Sequence, residues 1–204
     1  TVELLVLSCF LGLLIAISVA FARLSSNKIL KNIAFVYSYV FRGTPLLVQL
    51  WIVYFGIGSL GADNLGVLWP LFKDGWTIGL IVLTLNTGAY GSGVLRGGLV
   101  NTPKGQMEAA VACGMSWFQA MFHIMLPQAF KIAWPAYGNE VVLLMKGSAL
   151  VSTITVLDLM GQTRTVFSRS YDLDVYAYSA VLYLVLAGII TLVFKFGENR
   201  MKTG

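Results

Sequence analysis

Apolar residues in this chain come in blocks of about 20, the length needed to cross a bilayer, rather than in the short alternations of a soluble fold. The first block, Leu4 to Ala22, carries no charge, and the polar segment Arg23 to Lys31 follows it. The next apolar region, Ile33 to Leu60, is too long for one simple span and is interrupted at Phe41-Arg42-Gly43-Thr44-Pro45. Pro45 suits the first turn of a new helix, where its missing N–H is not needed. The pattern therefore predicts an interfacial helix over Ile33–Phe41 and a span over Thr44–Leu60. A third span, Trp76 to Leu95, is uncharged. A fourth is irregular, about Ala133 to Thr155, because it contains Glu140 and Lys146, and a fifth runs from Tyr176 to Phe194. The outer connection, Val156 to Val175, is long enough for a short surface helix.

Composition narrows the class. The 204 residues are 57% hydrophobic and only 11% charged, against about 25% charged in ordinary soluble domains. That excludes a cytosolic enzyme domain, a disordered chain and a nucleic-acid reader. The formal charge of +5 is read as basic loops fixing orientation in a membrane rather than as a phosphate partner. Five spans put the termini on opposite sides. One side then holds Arg23, Lys28, Lys31, Arg42, Arg96, Lys104, Lys131, Lys195, Arg200 and Lys202; the other holds Lys73, Lys146, Arg164 and Arg169. The positive-inside rule places the N-terminus outside and the C-terminus in the cytoplasm. Cys9 and Cys113 show neither metal spacing nor a disulfide framework. The chain opens on Thr1 rather than on a methionine, so a preceding N-terminal segment is expected, and no signal-peptide pattern is read.

The loop after the third span holds the informative pattern: Glu108-Ala109-Ala110, three residues, Gly114, nine residues, Ile124, one residue, Leu126, Pro127. Seven fixed positions match by chance on the order of 10⁻⁸ per start point. Glu108 follows Pro103 near an expected helix start, where a carboxylate suits the helix dipole. Gly114 ends that helix or turns the chain sharply; Met115 to Met125 then forms a second short helix, and Pro127 stops it. Trp117, Phe118, Met121 and Phe122 put large apolar groups on a water-facing loop. That suits a docking surface, or a membrane-surface helix packed on its own bundle.

The pattern resembles the E-A-A-x3-G-x9-I-x-L-P loop of bacterial ABC-importer permeases. Phe41 to Leu50, Thr84 to Tyr90, Gly138-Asn139-Glu140 and Lys146 to Leu150 resemble segments of the polar amino-acid uptake branch. The likeness is greatest to histidine/lysine/arginine/ornithine and octopine or nopaline permeases, and it covers essentially the whole chain. One departure is Gly91-Ser92-Gly93, where relatives often carry bulkier or acidic residues. The resemblance implies an all-α integral membrane protein of the type I importer class, with five transmembrane helices and short inner-loop coupling helices. Residues 1–204 would be one permease domain, with a cytoplasmic coupling loop at 103–127. Glu108, Ala109, Ala110, Gly114, Trp117, Phe118, Phe122, Ile124, Leu126 and Pro127 would then meet a groove of an ATPase subunit.

The implied function is import of a basic amino acid or an opine across the bacterial inner membrane. The implied partners are a second permease chain, identical or homologous, two ATPase subunits, an extracytoplasmic solute-binding protein and the lipid bilayer, with no nucleic acid. No cofactor is expected in this chain: it has no G-x-x-x-x-G-K-[ST] phosphate loop, so ATP and Mg belong on the ATPase. His123, the single histidine, is read as a surface residue, and no acid–base constellation supports an enzyme.

Charges inside a span are costly and usually face a partner or a watery path. Glu140, five residues after Pro135, would sit about 8 Å into its helix, with Lys146 about 9 Å deeper. Six residues turn about 240°, so these two do not share a face. A break at Lys146-Gly147-Ser148 would let them converge. Asn86 and Tyr90, at i and i+4, do share one. These four form a candidate substrate pathway; the alternative is interhelical hydrogen bonding. Arg42 reads as a snorkelling anchor. Asp158, Arg164, Arg169, Asp172 and Asp174 either dock a binding protein or form an ordinary outer surface. The rival functions are an ion-coupled secondary carrier or channel, with Glu140 and Lys146 as relay, and a non-transporting scaffold.

Overall fold

The computed structural model describes Thr1 to Thr203; Gly204 and the side chains of Lys104, Lys202 and Thr203 lie outside the described residues. Among those residues every regular element is helical. The long helices are α1 (Val2–Leu24), α2 (Lys28–Gly43), α6 (Gly75–Asn101), α9 (Leu126–Ser148) and α11 (Asp174–Thr203). Short pieces join them: α3 (Leu46–Trp51), α4 (Gly61–Leu65), α5 (Trp69–Phe72), α7 (Lys104–Ala112), α8 (Trp117–Ala120) and α10 (Leu159–Ser170). Five stretches are long and apolar enough to cross a membrane if the bent pair 117–154 and 159–170 is taken as one.

Helix α6 is the axis of the bundle, with α1, α2 and α9 packed around it. Its pairing with α1 rests on small residues. Ser8, Gly12, Ala16 and Ala20, spaced by four, are all buried on α1; Gly12 meets Thr84 and Thr87, Ala16 meets Gly91, and Ile15 lies over Gly88. A Cβ on Gly12 would stand 2.8 Å from the Thr87 side chain. Without a hydrophobic drive inside lipid, such close backbone approach is what holds spans together. Above this seam Leu4, Leu50, Ile78, Leu83, Met145 and Ile154 form the apolar centre. The outer faces stay apolar and exposed, for example Val6, Phe10, Leu184 and Leu192, as lipid contact requires.

The same logic fixes α6 on α9. A Cβ on Gly98 would collide with the Ala129 carbonyl oxygen, whereas one on Gly97 would meet nothing within 4 Å. Gly98→Val is therefore expected to lower thermal stability in detergent by about 1–3 kcal/mol, and Gly97→Val to leave it nearly unchanged. Equal melting curves for the two variants would contradict this packing.

The second apolar region differs from its sequence reading. Asn27 caps α2, accepting from the Ile29 and Leu30 N–H groups, so the helix starts five residues before Ile33. Its C-terminal half is not interfacial. Tyr37 Oη donates to the Leu85 carbonyl, and Ser38 Oγ lies 3.4 Å from Ser92 Oγ, both near the middle of α6. Helix α2 thus climbs obliquely to the centre of the bundle and breaks at Thr44, and Pro45 opens α3 there as its N-cap.

The fourth span also differs. Pro127 does not stop a helix: it sits in the first turn of α9, after a π-helical stretch, Met121–Met125, that continues α8 into it. Proline is tolerated there, and the wide turn absorbs its ring. Helix therefore runs without a gap from Trp117 to Ile154, with Pro135 in its interior. Glu140 lies 14 residues beyond Leu126, about 21 Å along the helix, so it stands near mid-span rather than near an end. Lys146 and Gly147 stay α-helical; the change to a 3₁₀ stretch comes just after them, at Ala149–Ile154, and left-handed Thr155 (φ 69°) ends it. Helix α10 lies within the connection before α11.

Candidate functional site

Two regions, at mid-span and at one end of the bundle, hold the polar and exposed groups singled out above. At mid-span the break between α2 and α3 faces α6 and α9. Thr44, Pro45, Asn86, Tyr90 and Glu140 line a pocket of about 290 Å³ there, closed by Leu46, Thr87, Leu143 and Leu144. Gln49, outside the lining, holds two of its members, Thr44 and Asn86. Its amide nitrogen donates to the Phe41 carbonyl at 2.9 Å and to the Thr44 carbonyl at 3.0 Å, closing the carbonyls left open where α2 ends. Asn86 Nδ2 donates to Gln49 Oε1 at 3.1 Å, which ties Asn86 to the α2–α3 break. Tyr90 Oη donates to the Arg42 carbonyl at 3.4 Å. Glu140 is half-buried, the one carboxylate on the wall, and makes no hydrogen bond to a described side chain.

The structure brings Asn86, Tyr90 and Glu140 into one pocket and leaves Lys146 out, exposed on another face of α9. The 240° separation of Glu140 and Lys146 persists because the helix does not break between them. Arg42 is placed where the sequence reading did not look. Its guanidinium lies 5.4 Å from the Tyr90 ring centroid, in space that Gly93 leaves open. A Cβ on Gly93 would come within 2.7 Å of Arg42 Nη1, which gives the Gly91-Ser92-Gly93 departure a physical role. Gln49 was also missed; its signal is an amide one turn beyond a Thr-Pro break.

At the end of the bundle where α1 finishes, α7 and α8 form a compact elbow. Gly114 has φ 81°. Its N–H donates to the Val111 carbonyl at 2.9 Å, and the Met115 N–H to the Ala110 carbonyl at 3.1 Å. That pair is a Schellman C-cap, which needs a left-handed residue at this position. Ser116 and Gln119 then make a reciprocal capping box that starts α8 at Trp117. The Ser-x-x-Gln signal for it is plain in the sequence. Glu108 is the fifth residue of α7 because the helix already begins at Lys104, so it lies beyond the first turn and the dipole does not account for it.

The elbow presents one face outward. Trp117, Phe118 (68% exposed) and Phe122 project from it, the first two in edge contact at 5.2 Å. Glu108, Ala109, Gly114 and Pro127 are also exposed. Met121 is not part of that face: at 9% exposure it turns inward with Met125, against Leu99, Ala129 and Phe21. Ala110 is buried, and Ile124 and Leu126 are half-buried on the same inner side. His123 is exposed, with Nδ1 3.0 Å from the Gln119 carbonyl oxygen. Between elbow and bundle lies a cavity of about 460 Å³, lined by apolar side chains of α1, α6 and the base of α9. It holds no polar group that could select a solute, but Phe122 reaches it.

At the opposite end Asp158 is 4% exposed and committed to structure. It caps α10 through the Gly161 N–H at 2.9 Å and accepts from Thr1 Oγ1 at 3.2 Å. Arg164, Arg169, Asp172 and Asp174 stay exposed.

Comparison with known proteins agrees with this layout. Residues 11–201 match the family described as binding-protein-dependent transport system inner membrane component. The nopaline transport system permease protein NocM of Agrobacterium fabrum is 36% identical over 97% of this chain and 83% of its own length. The histidine/lysine/arginine/ornithine transport system permease protein HisM of Escherichia coli is 38% identical, over 98% of this chain and 85% of its own. Among solved structures, an amino acid ABC transporter crystallised with histidines superposes with a TM-score of 0.84 at 33% identity, over 97% of this chain and 89% of its own. The inward-facing MetNI methionine ABC transporter shares the fold, with a TM-score of 0.79 at 19% identity over 98% and 92% of the two chains.

Proposed function

We infer a transport cycle from one premise: the chain belongs to the family of binding-protein-dependent transport system inner membrane components. It is a permease subunit of an ABC importer. The substrate we assign is a basic amino acid or an opine, in keeping with what the similar permeases are named for. The observation that carries this assignment is the mid-span pocket, where Glu140 is the one carboxylate beside Asn86 and Tyr90. A cationic side chain fits a half-buried carboxylate that makes no hydrogen bond to a described side chain better than any neutral group does. Lys146, outside the pocket, has no part in recognition.

The whole chain acts as one permease domain, with residues 103–127 as its cytoplasmic coupling loop. A second permease chain, identical or homologous, completes the pathway. Two ATPase subunits bind ATP and Mg, and this chain hydrolyses none. An extracytoplasmic solute-binding protein delivers substrate at the end bearing α10. Trp117, Phe118 and Phe122 seat in the ATPase. Met121, Met125 and Leu126 tie the seat to α1, α6 and α9, so movement of the elbow reaches the helix that carries Glu140. ATP favours one state of the bundle only through its differential affinity for that state. The test is uptake of labelled arginine into proteoliposomes holding the complete complex. Uptake should need ATP on the coupling-loop side and survive collapse of ion gradients. Gradient-driven uptake without ATP would instead make this an ion-coupled carrier.

The N-terminus is assigned to the outside of the bacterial inner membrane and the C-terminus to the cytoplasm. The support is that Arg23 stands in the last turn of α1, whose Phe21 packs against Met121 and Met125 at the elbow, so this cation lies at the elbow's end. In a background without Cys9 and Cys113, an impermeant thiol reagent on intact cells should label Asp172→Cys and not Ser26→Cys. The reverse pattern would invert the assignment.

A further inference from the structure

The inner half of the bundle holds a second polar pocket, of about 410 Å³, that the transport cycle above does not use. Arg23, Phe35, Ser38, Tyr39, Arg42 and Tyr90 line it. Both guanidiniums are held against aromatic faces, Arg23 at 5.8 Å from the Phe35 centroid and Arg42 at 5.4 Å from that of Tyr90. The missing side chain at Gly93 is what lets Arg42 lie there. Arg23 stands in the field of both Arg96 and Arg42. No carboxylate among the described residues forms an ion pair with Arg23 or Arg42; Glu140 feels the charge of Arg42 only from the neighbouring pocket.

We propose that Arg23 and Arg42 together bind a phosphate group, supplied by the headgroup of a phospholipid in the leaflet on that side. Two pre-oriented guanidinium forks converging on one space match a group with several acceptor oxygens, which also relieves their mutual repulsion. A basic pocket between spans is a known type of site for anionic headgroups. Two features choose the lipid over free phosphate. Arg23 is the penultimate residue of the 23-residue apolar helix α1, so it lies where the hydrocarbon layer ends. From the pocket, the stacked rings of Phe35 and Tyr39 lead outward along α2, whose Ile29, Ile33, Val36 and Val40 form an exposed apolar strip for acyl chains.

The test is native mass spectrometry of the intact transporter complex after a delipidating detergent wash and addition of phosphatidylglycerol. Retained lipid should fall about tenfold in the Arg23→Gln/Arg42→Gln variant. It should fall likewise in Gly93→Leu, which keeps both charges but drives Arg42 off its place. Lys131→Gln, on the same side, should retain lipid like the parent. Co-elution with the partner subunits checks folding of each variant. A second arm uses inorganic phosphate and its phosphorus line width. Broadening by the parent and not by the double variant, with no lipid retained, would keep the anion site and overturn the lipid as its source. Equal lipid retention in the parent and both variants, with equal line widths, would overturn the site itself.

Discussion

Gly114→Trp should leave the permease in the membrane at close to its normal amount while transport falls to about a tenth or less. The reason is backbone geometry, not crowding: a Cβ at Gly114 would meet no atom within 4 Å, but φ is 81°. A bulky residue held in that region costs about 1–2 kcal/mol. The chain escapes the cost by abandoning the Schellman turn, and α8 then re-aims Trp117, Phe118 and Phe122. Met121 and Met125 stay buried against Leu99 and Ala129, so the spans keep their packing. Uptake and substrate-stimulated ATP hydrolysis should fall together, while capture by the binding protein is untouched. Gly114→Asn, which tolerates the left-handed region, should recover most of the loss. Full coupled transport by the Trp variant at normal expression would remove the docking role from this loop. Its disappearance from the membrane would make Gly114 a folding residue instead.

The second large effect belongs to Glu140. Glu140→Gln keeps size and hydrogen-bonding capacity but removes the one carboxylate from the pocket of Asn86 and Tyr90. A hydrogen bond to a charged partner is worth about 1.5–3 kcal/mol, so the apparent affinity for arginine should weaken about 10- to 100-fold. Uptake of a neutral amino acid should change far less, and basal ATP hydrolysis should stay as it was. The measurement is KM for both solutes in the same proteoliposomes. Equal loss for both would mean that Glu140 supports the helix rather than reading charge.

Local signals carried much of this architecture, and long-range ones did not. Asn27, Asp74, Ser116 and Asp158 each cap a helix through their own side chains, and caps of this kind can be read from a single sequence. The spacing of Ser8, Gly12, Ala16 and Ala20 could have been read the same way. Helix α2 misled because three basic residues lie at or just before its first turn and its apolar residues lie to one side. Both features suit an interface, and only the pairing of Tyr37 and Ser38 with α6 shows that it enters the bundle. Pro127 misled because a proline near a helix start and one past a helix end look alike without the π-helical turn before it. In the site, Asn86 and Tyr90 were visible as one turn of one face. Their meeting with Glu140 depends on where α9 begins, which the early Pro135 disguised. The seat of Arg42 depends on Gly93, 51 positions later in the chain, and no local pattern encodes it.

The most direct measurement of the central claim is affinity purification of the tagged chain in mild detergent, with identification of what accompanies it and assay of ATP hydrolysis. The complex should contain a second permease and an ATPase and should hydrolyse ATP. Stripped of the ATPase, the chain should hydrolyse none. A chain that purifies alone from native membranes yet supports uptake, or one that hydrolyses ATP by itself, would contradict the account.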